Sequence, residues 1–213
     1  MAETIFKDIK EALKKGDRAG VAELVKKALD SGIEVRKIMD EALISGMEDI
    51  GARFKKNEVF IPEVLISAKA MHSGMAVLDP HFVSCGIKPI GKVVIGTVKG
   101  DLHDIGKNIV SMMMKGVCFD VEDQGIDVSP AKFVDAVRRS GADILALSSL
   151  LTTSMPSMRE TIKALKDANL RDKVKVIVGG APVTQDFADS IEADGFARDA
   201  ASAVDKAKEL LRL

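Results

Sequence analysis

Tryptophan and tyrosine are absent from this chain of 213 residues, and phenylalanine alone makes up its 4% of aromatic residues. The deficit is met by ten methionines, which fill cores or form adaptable surfaces. There are two cysteines, Cys85 and Cys118, with no Cys-x-x-Cys and no zinc spacing. They fit reduced thiols of a cytoplasmic protein. Charge of one sign is missing too: the net charge is −1, and the basic residues are dispersed, so nothing points to nucleic acid. No apolar h-region follows Met1, and no run reaches the ~18 apolar residues of a membrane span. The expectation is a soluble, cytoplasmic protein without nucleic-acid or membrane partners.

What is present falls into two grammars. Residues 3–83 carry helical periodicity and no convincing strand. Ile5, Ile9, Ala12 and Leu13 share one face; Gly16-Asp17 ends that helix and can cap the next, which carries Val21, Leu24, Val25, Ala28 and Leu29. A third helix is expected from about Val35 to Phe54, and a fourth from Pro62 to a stop at Asp79-Pro80. Four helices with short links imply an antiparallel bundle. The stretch from Ser84 to Gly91 is rich in breaker residues and is expected to be a linker and hinge. From Lys92 strands alternate with helices: strands near 92–98, 118–123, 143–148, 173–178 and 194–197, helices near 106–116, 129–140, 155–168, 183–192 and 200–211. That alternation predicts a flavodoxin-like (Rossmann-type) five-stranded parallel sheet, so the chain is expected to be an N-terminal helical domain, 1–90, and an α/β domain, 91–213.

The chemistry concentrates in Gly100-Asp101-Leu102-His103-Asp104-Ile105-Gly106, between the first strand and its helix. In a parallel sheet this is where ligands bind. His103 can present one ring nitrogen outward while the other donates to Asp101, and a carboxylate behind an imidazole fixes its tautomer and strengthens it as a metal ligand. The loops after the third strand, Ser148 to Ser154, and after the fourth, Gly179-Gly180, are expected to converge on the same sheet edge. By themselves the hydroxyls of Ser148, Thr152 and Ser154 also suit turn formation and helix capping, and Gly-Gly an ordinary turn. No Gly-Lys-Ser/Thr occurs and Lys107 is the only nearby cation, so a nucleotide site is weakly supported. His72 and His81 lack acid partners at useful spacing.

Asp101-x-His103-x-x-Gly106, then Ser148-x-Leu150, then Gly179-Gly180 resembles the cobalamin-binding fingerprint of methionine synthase and the methyltransferase corrinoid proteins. Upstream, Gly46-Met47-Glu48-Asp49-Ile50-Gly51, Phe54 and Phe60-Ile61-Pro62-Glu63-Val64 resemble the helical cap module that precedes the cobalamin domain in that family. The resemblance implies a corrinoid (methylcob(III)alamin or cob(I)alamin) in the base-off, His-on state, with His103 as axial ligand of cobalt and Asp101 and Ser154 extending a relay behind it. It implies cofactor contacts from Gly100, Leu102, Asp104, Ile105, Gly106, Ser148, Leu150 and Thr152, room for the cofactor tail at Gly179 and Gly180, and closure over its end near Ala200. Phe60, otherwise a plain core residue, would cover the methyl side. The implied function is a non-catalytic carrier subunit. It would take a methyl group from a substrate-specific methyltransferase and donate it to a second methyltransferase, with coenzyme M or tetrahydrofolate as acceptor and a reductive activase as a further partner. The alternative is a cobalamin-dependent sensor acting through a protein partner. A carbon-skeleton mutase subunit shares the histidine loop but usually lacks the four-helix cap.

Overall fold

A computed structural model describes residues 2–85 and 88–213, with the side chains of 82–85 left aside. The chain forms a helical unit and an α/β unit.

In the helical unit, α1 is Ala2–Lys14 and α2 is Arg18–Asp30. Asp17 caps α2: its carboxylate accepts the Gly20 N–H at 2.9 Å, answering one of the donors every helix start leaves over. The third expected helix is interrupted. A short turn α3, Val35–Lys37, passes into a π-helical stretch, Ile38–Ile44, and then α4, Ser45–Lys55. The wider π turn leaves Ile38, Met39, Ala42 and Leu43 buried. The last helix, α5, is Ile61–Cys85. Its start is closed by Glu63, whose carboxylate accepts the Phe60 N–H at 2.9 Å. Pro80 lies inside α5 and does not end it, contrary to expectation. The proline ring fits helical φ and forfeits a single backbone hydrogen bond, which a long helix absorbs near its end. Ser84 and Cys85 therefore belong to that helix and not to a linker, while Gly86 and Ile87 lie outside the described residues. Ile9, Leu13, Val21, Val25, Ile38, Leu43, Met47, Ile50, Val64, Met71 and Leu78 are all buried in this unit.

The α/β unit has strands β1 (Gly91–Thr97), β2 (Phe119–Asp123), β3 (Ile144–Ser148), β4 (Lys175–Gly179) and β5 (Gly195–Ala197). Between and after them run α6 (Ile105–Gly116), α7 (Pro130–Ser140), α8 (Pro156–Asp167), a 3₁₀ turn at Arg171–Lys173, α9 (Gln185–Ser190) and α10 (Ala200–Leu211). All strand pairs are parallel, in the order β2-β1-β3-β4-β5. Alternation along each strand divides the side chains between two faces. Val94, Leu145, Leu147, Val176 and Val178 share a core with Phe133 and Val137 of α7 and Met158, Ile162 and Leu165 of α8. Val93, Ile95, Ile144, Ala146 and Ile177 are buried on the other face. Register decides what meets at the edge. Thr97 pairs with Ser148, and Ser148 with Gly179, so the loops after β1, β3 and β4 leave the sheet at one level.

Candidate functional site

The loop after β1 turns at Gly100, where φ is +83° and only glycine is comfortable. Its next residue, Asp101, has no exposed surface, whereas the His103 side chain is 52% exposed. His103 Nδ1 lies 2.7 Å from Asp101 Oδ1, which also accepts the His103 backbone N–H at 3.0 Å. On the other oxygen, Oδ2, three donors converge: the backbone N–H groups of Leu150 at 2.6 Å and Leu151 at 3.2 Å, and the Ser154 hydroxyl at 3.0 Å.

Burial opposes the charge on Asp101, but the His103 and Leu150 N–H groups, the His103 ring and the Ser154 hydroxyl outweigh it and hold the carboxyl well below the usual carboxylate range. An ionised carboxylate only accepts. Nδ1 of the neutral ring must therefore carry the proton, and the lone pair of Nε2 faces outward from an exposed side chain. Such an imidazole is a preset ligand. Among the described residues no group of three or more His, Cys, Asp or Glu could hold a bare metal ion. One outward nitrogen suits a metal that brings its own ligands.

The surroundings fit that reading. Leu102 and Ile105, on either side of His103 in the loop, are 68% and 72% exposed, and Leu150 and Leu151, whose N–H groups reach Asp101, are exposed too, an apolar rim that would be costly to leave in water as a patch. Gly106, in the first turn of α6, has nothing within 4 Å of where a Cβ would stand. Asp104 is exposed and accepts the Asn108 side-chain N–H at 3.0 Å. Donor set, apolar rim and open glycine together fit a large, flat, metal-bearing macrocycle.

Other expected residues sit differently. Ser148 is half-buried at the end of β3, where its carbonyl accepts the Val98 N–H, and Thr152 is exposed. Gly179 packs against the Ala197 carbonyl, which a Cβ would approach to 2.8 Å. At Gly180, φ is +132° and a Cβ would stand 1.8 Å from the Ser149 carbonyl oxygen. Both glycines are thus required by the fold itself. Ala200 is buried in the first turn of α10, which Asp199 caps. Phe60, in the helical unit, is 61% exposed and so is no core residue.

Several further supports carry no signal in the sequence. The Thr97 hydroxyl donates to the His103 carbonyl at 2.8 Å. Asp127 grips the loop twice: its carboxylate accepts the Gly100 N–H at 2.8 Å, and its N–H donates to the Asp101 carbonyl at 3.0 Å. Lys107, weighed as a phosphate-binding cation, is instead buried, paired with Asp123 and donating to Asn108 Oδ1 at 2.6 Å. Its helical spacing from buried Ile109 and Met113 gave no sign of this, and a turn residue such as Asp127 carries no periodic signal.

Known proteins resemble this chain in sequence and in fold. Two family models, each described as a B12 binding domain, match residues 91–207 and 5–79. A corrinoid protein of Desulfitobacterium hafniense is 42% identical over 214 residues, covering 99% of both chains. A dimethylamine corrinoid protein of Methanosarcina barkeri is 42% identical over 212 residues, covering 98% of both. Among solved structures, a cobalamin-binding protein of D. hafniense superposes with a TM-score of 0.82 at 33% identity, covering 96% of this chain and 98% of that one. The methanol:cobalamin methyltransferase complex of M. barkeri contains a chain that superposes with a TM-score of 0.87 at 28% identity, covering 98% of this chain and 80% of that one. With the helical unit and the α/β unit both matched and the histidine loop at the sheet edge, this chain belongs to the B12-binding corrinoid proteins of methyltransferase systems.

Proposed function

We propose that this chain is a corrinoid methyl carrier, which receives a methyl group from a substrate-specific methyltransferase and yields it to a second methyltransferase. The observation that carries the reading is the exposed imidazole of His103 with its Nδ1 tied to a buried, ionised carboxylate. The names of the relatives support it: they include dimethylamine and trimethylamine corrinoid proteins. Coenzyme M or tetrahydrofolate is the proposed final acceptor, and a reductive activase a further partner.

A bound corrinoid supplies a cobalt centre that accepts and releases a methyl group. The work of this chain is to hold that centre and grade its ligation. His103 Nε2 would hold the cobalt, in place of the cofactor's own base. Asp101 keeps the proton on Nδ1 and stops the ring from rotating. Ser154 and the N–H groups of Leu150 and Leu151 hold Asp101 in turn and keep it ionised. Leu102, Ile105, Leu150 and Leu151 would exclude water from the metal side of the macrocycle. Gly106, with open space above it, would let the macrocycle or its side arms approach the backbone. Phe60 is the proposed contribution of the helical unit, as a cover on the methyl side.

The test is spectroscopic. The purified chain, reconstituted with hydroxocobalamin, is expected to give the absorption of a base-off, His-on corrinoid. His103→Ala is expected to lose that signature and to retain the cofactor less well on gel filtration. An identical spectrum from the variant would remove His103 as ligand. The loaded, reduced protein, mixed with candidate methyltransferases and methylamine or methanol, is then expected to take up the methyl group from one of them.

A further inference from the structure

Behind the three side chains already described stands a fourth. Ser149 has no exposed surface, and its Oγ lies 2.7 Å from Ser154 Oγ and 3.0 Å from the Leu151 carbonyl oxygen. Ser154 Oγ in turn lies 3.0 Å from Asp101 Oδ2 and 2.9 Å from the same carbonyl. Two hydroxyls own two protons, and the ionised carboxylate and the carbonyl own none. Two oxygens at 2.7 Å need a proton between them. Were Ser154 to donate to Ser149, its lone pairs would face the Asp101 carboxylate with nothing between, and a buried charge would lose a donor. The direction is therefore fixed: Ser149 donates to Ser154, Ser154 to Asp101, and His103 to Asp101 from the other side.

We propose that Ser149 is a positioning residue, acting through Ser154 on Asp101, that moderates how strongly Asp101 draws on the Nδ1 proton of His103. Hydrogen bonds in series polarise one another. Donation from Ser149 makes Ser154 a stronger donor, which takes up charge density on Oδ2 and leaves less for the bond at Oδ1. The placement of the Ser149 hydroxyl is set by the end of β4. The Ser149 N–H donates to the Gly179 carbonyl at 3.1 Å, and its own carbonyl lies against Gly180 so closely that no Cβ fits between. The chain of hydroxyls thus joins the Gly179–Gly180 turn to the outward nitrogen of His103, two places otherwise 76 residues apart in sequence if counted from His103 to Gly179 (179 − 103). A shift of that turn would reach the imidazole through the Ser149 backbone and then the two hydroxyls.

This inference deepens the carrier reading, since it assigns Ser149 to the ligand that reading uses, but it is tested without cofactor. The cofactor-free protein, labelled with ¹⁵N-histidine, is measured by NMR at alkaline pH with the imidazole neutral. The resonances absent from His103→Gln identify His103. Ser149→Ala is expected to move the His103 Nδ1 resonance toward the pyridine-type position, because the bond to Asp101 tightens; Ser149→Gly is the second variant and should do the same. In a Ser154→Ala background the same substitution is expected to move nothing, because the connection is already cut. A resonance unchanged by Ser149→Ala and Ser149→Gly would overturn the proposal, as would an equal shift with and without Ser154. Loss of the His-on spectrum's dependence on His103 would instead sink the carrier reading and leave this result standing.

Discussion

Asp101 accepts five hydrogen bonds from four residues at a position with no access to water, and its carboxyl is held well below its ordinary value. An aspartate in the unfolded chain titrates near 3.9, so the folded protein binds its proton less readily than the unfolded one. The stability this group contributes is therefore complete above about pH 5 and is lost as pH falls below about 4 toward the folded value. Asp101→Asn has no such linkage, and its amide also replaces an acceptor with a donor. Urea midpoints of the two proteins are expected to differ most near neutrality, by the equivalent of about 1–3 kcal/mol, and to converge in acid. A gap independent of pH would mean that the carboxylate's charge is not what its donors stabilise.

Two glycines separate what an element needs from what a ligand needs. Gly180 has a positive φ and no room, so Gly180→Ala is expected to cost at least about 1–3 kcal/mol in thermal unfolding and to displace Ser149. Gly106 sits within α6 with open space around it, and alanine is the better helix former there by up to about 1 kcal/mol. Gly106→Ala is expected to leave the melting temperature of the cofactor-free protein unchanged or higher while weakening retention of hydroxocobalamin. Equal retention would show that nothing bulky approaches the backbone at that turn. At the same scale, the burial of Lys107 against Asp123 ties the first turn of α6 to the end of β2, which helps hold the loop that carries His103.

The helical unit closes its own core with Ile9, Leu13, Leu43, Ile50, Met71 and Leu78, yet leaves Phe60, Ile61 and Ile66 exposed at the start of α5. Removing an exposed side chain seldom shifts stability by more than about 0.5 kcal/mol. Phe60→Ala is therefore expected to unfold at the wild-type temperature. If this unit serves as the cofactor's cover, the reduced, loaded variant is expected to oxidise in air faster than wild type, followed by its absorption spectrum. Equal rates would remove Phe60 from that role. No helix among the described residues is long and apolar enough to cross a membrane.

The element types, the switch from helical period to strand–helix alternation and the pairing of Asp101 with His103 were all legible in the residues. Each rests on neighbours within a few positions, where the 3.6-residue and two-residue periods and simple reach decide the outcome. Pro80 escaped because its ring fits helical φ and costs a long helix one hydrogen bond near its end, and the π-helical stretch because Ile38–Ile44 holds no breaker to mark it. Of the support behind Asp101, Ser154 alone was named beforehand, by the family resemblance, and the structure places its hydroxyl on Asp101 Oδ2; the rest was not legible. Ser154, the N–H groups of Leu150 and Leu151, Ser149 and Asp127 come from 26 to 53 residues away (127 − 101 and 154 − 101). What brings them together is register: Thr97 beside Ser148 beside Gly179 sets three loops at one height. A slip of one residue would turn each side chain to the opposite face. The sequence alone paired His103 with Asp101; only the packed sheet decided which amides and which further hydroxyl fix the charge behind them, because hydrogen bonds across separate loops depend on sums of backbone choices that no short pattern records.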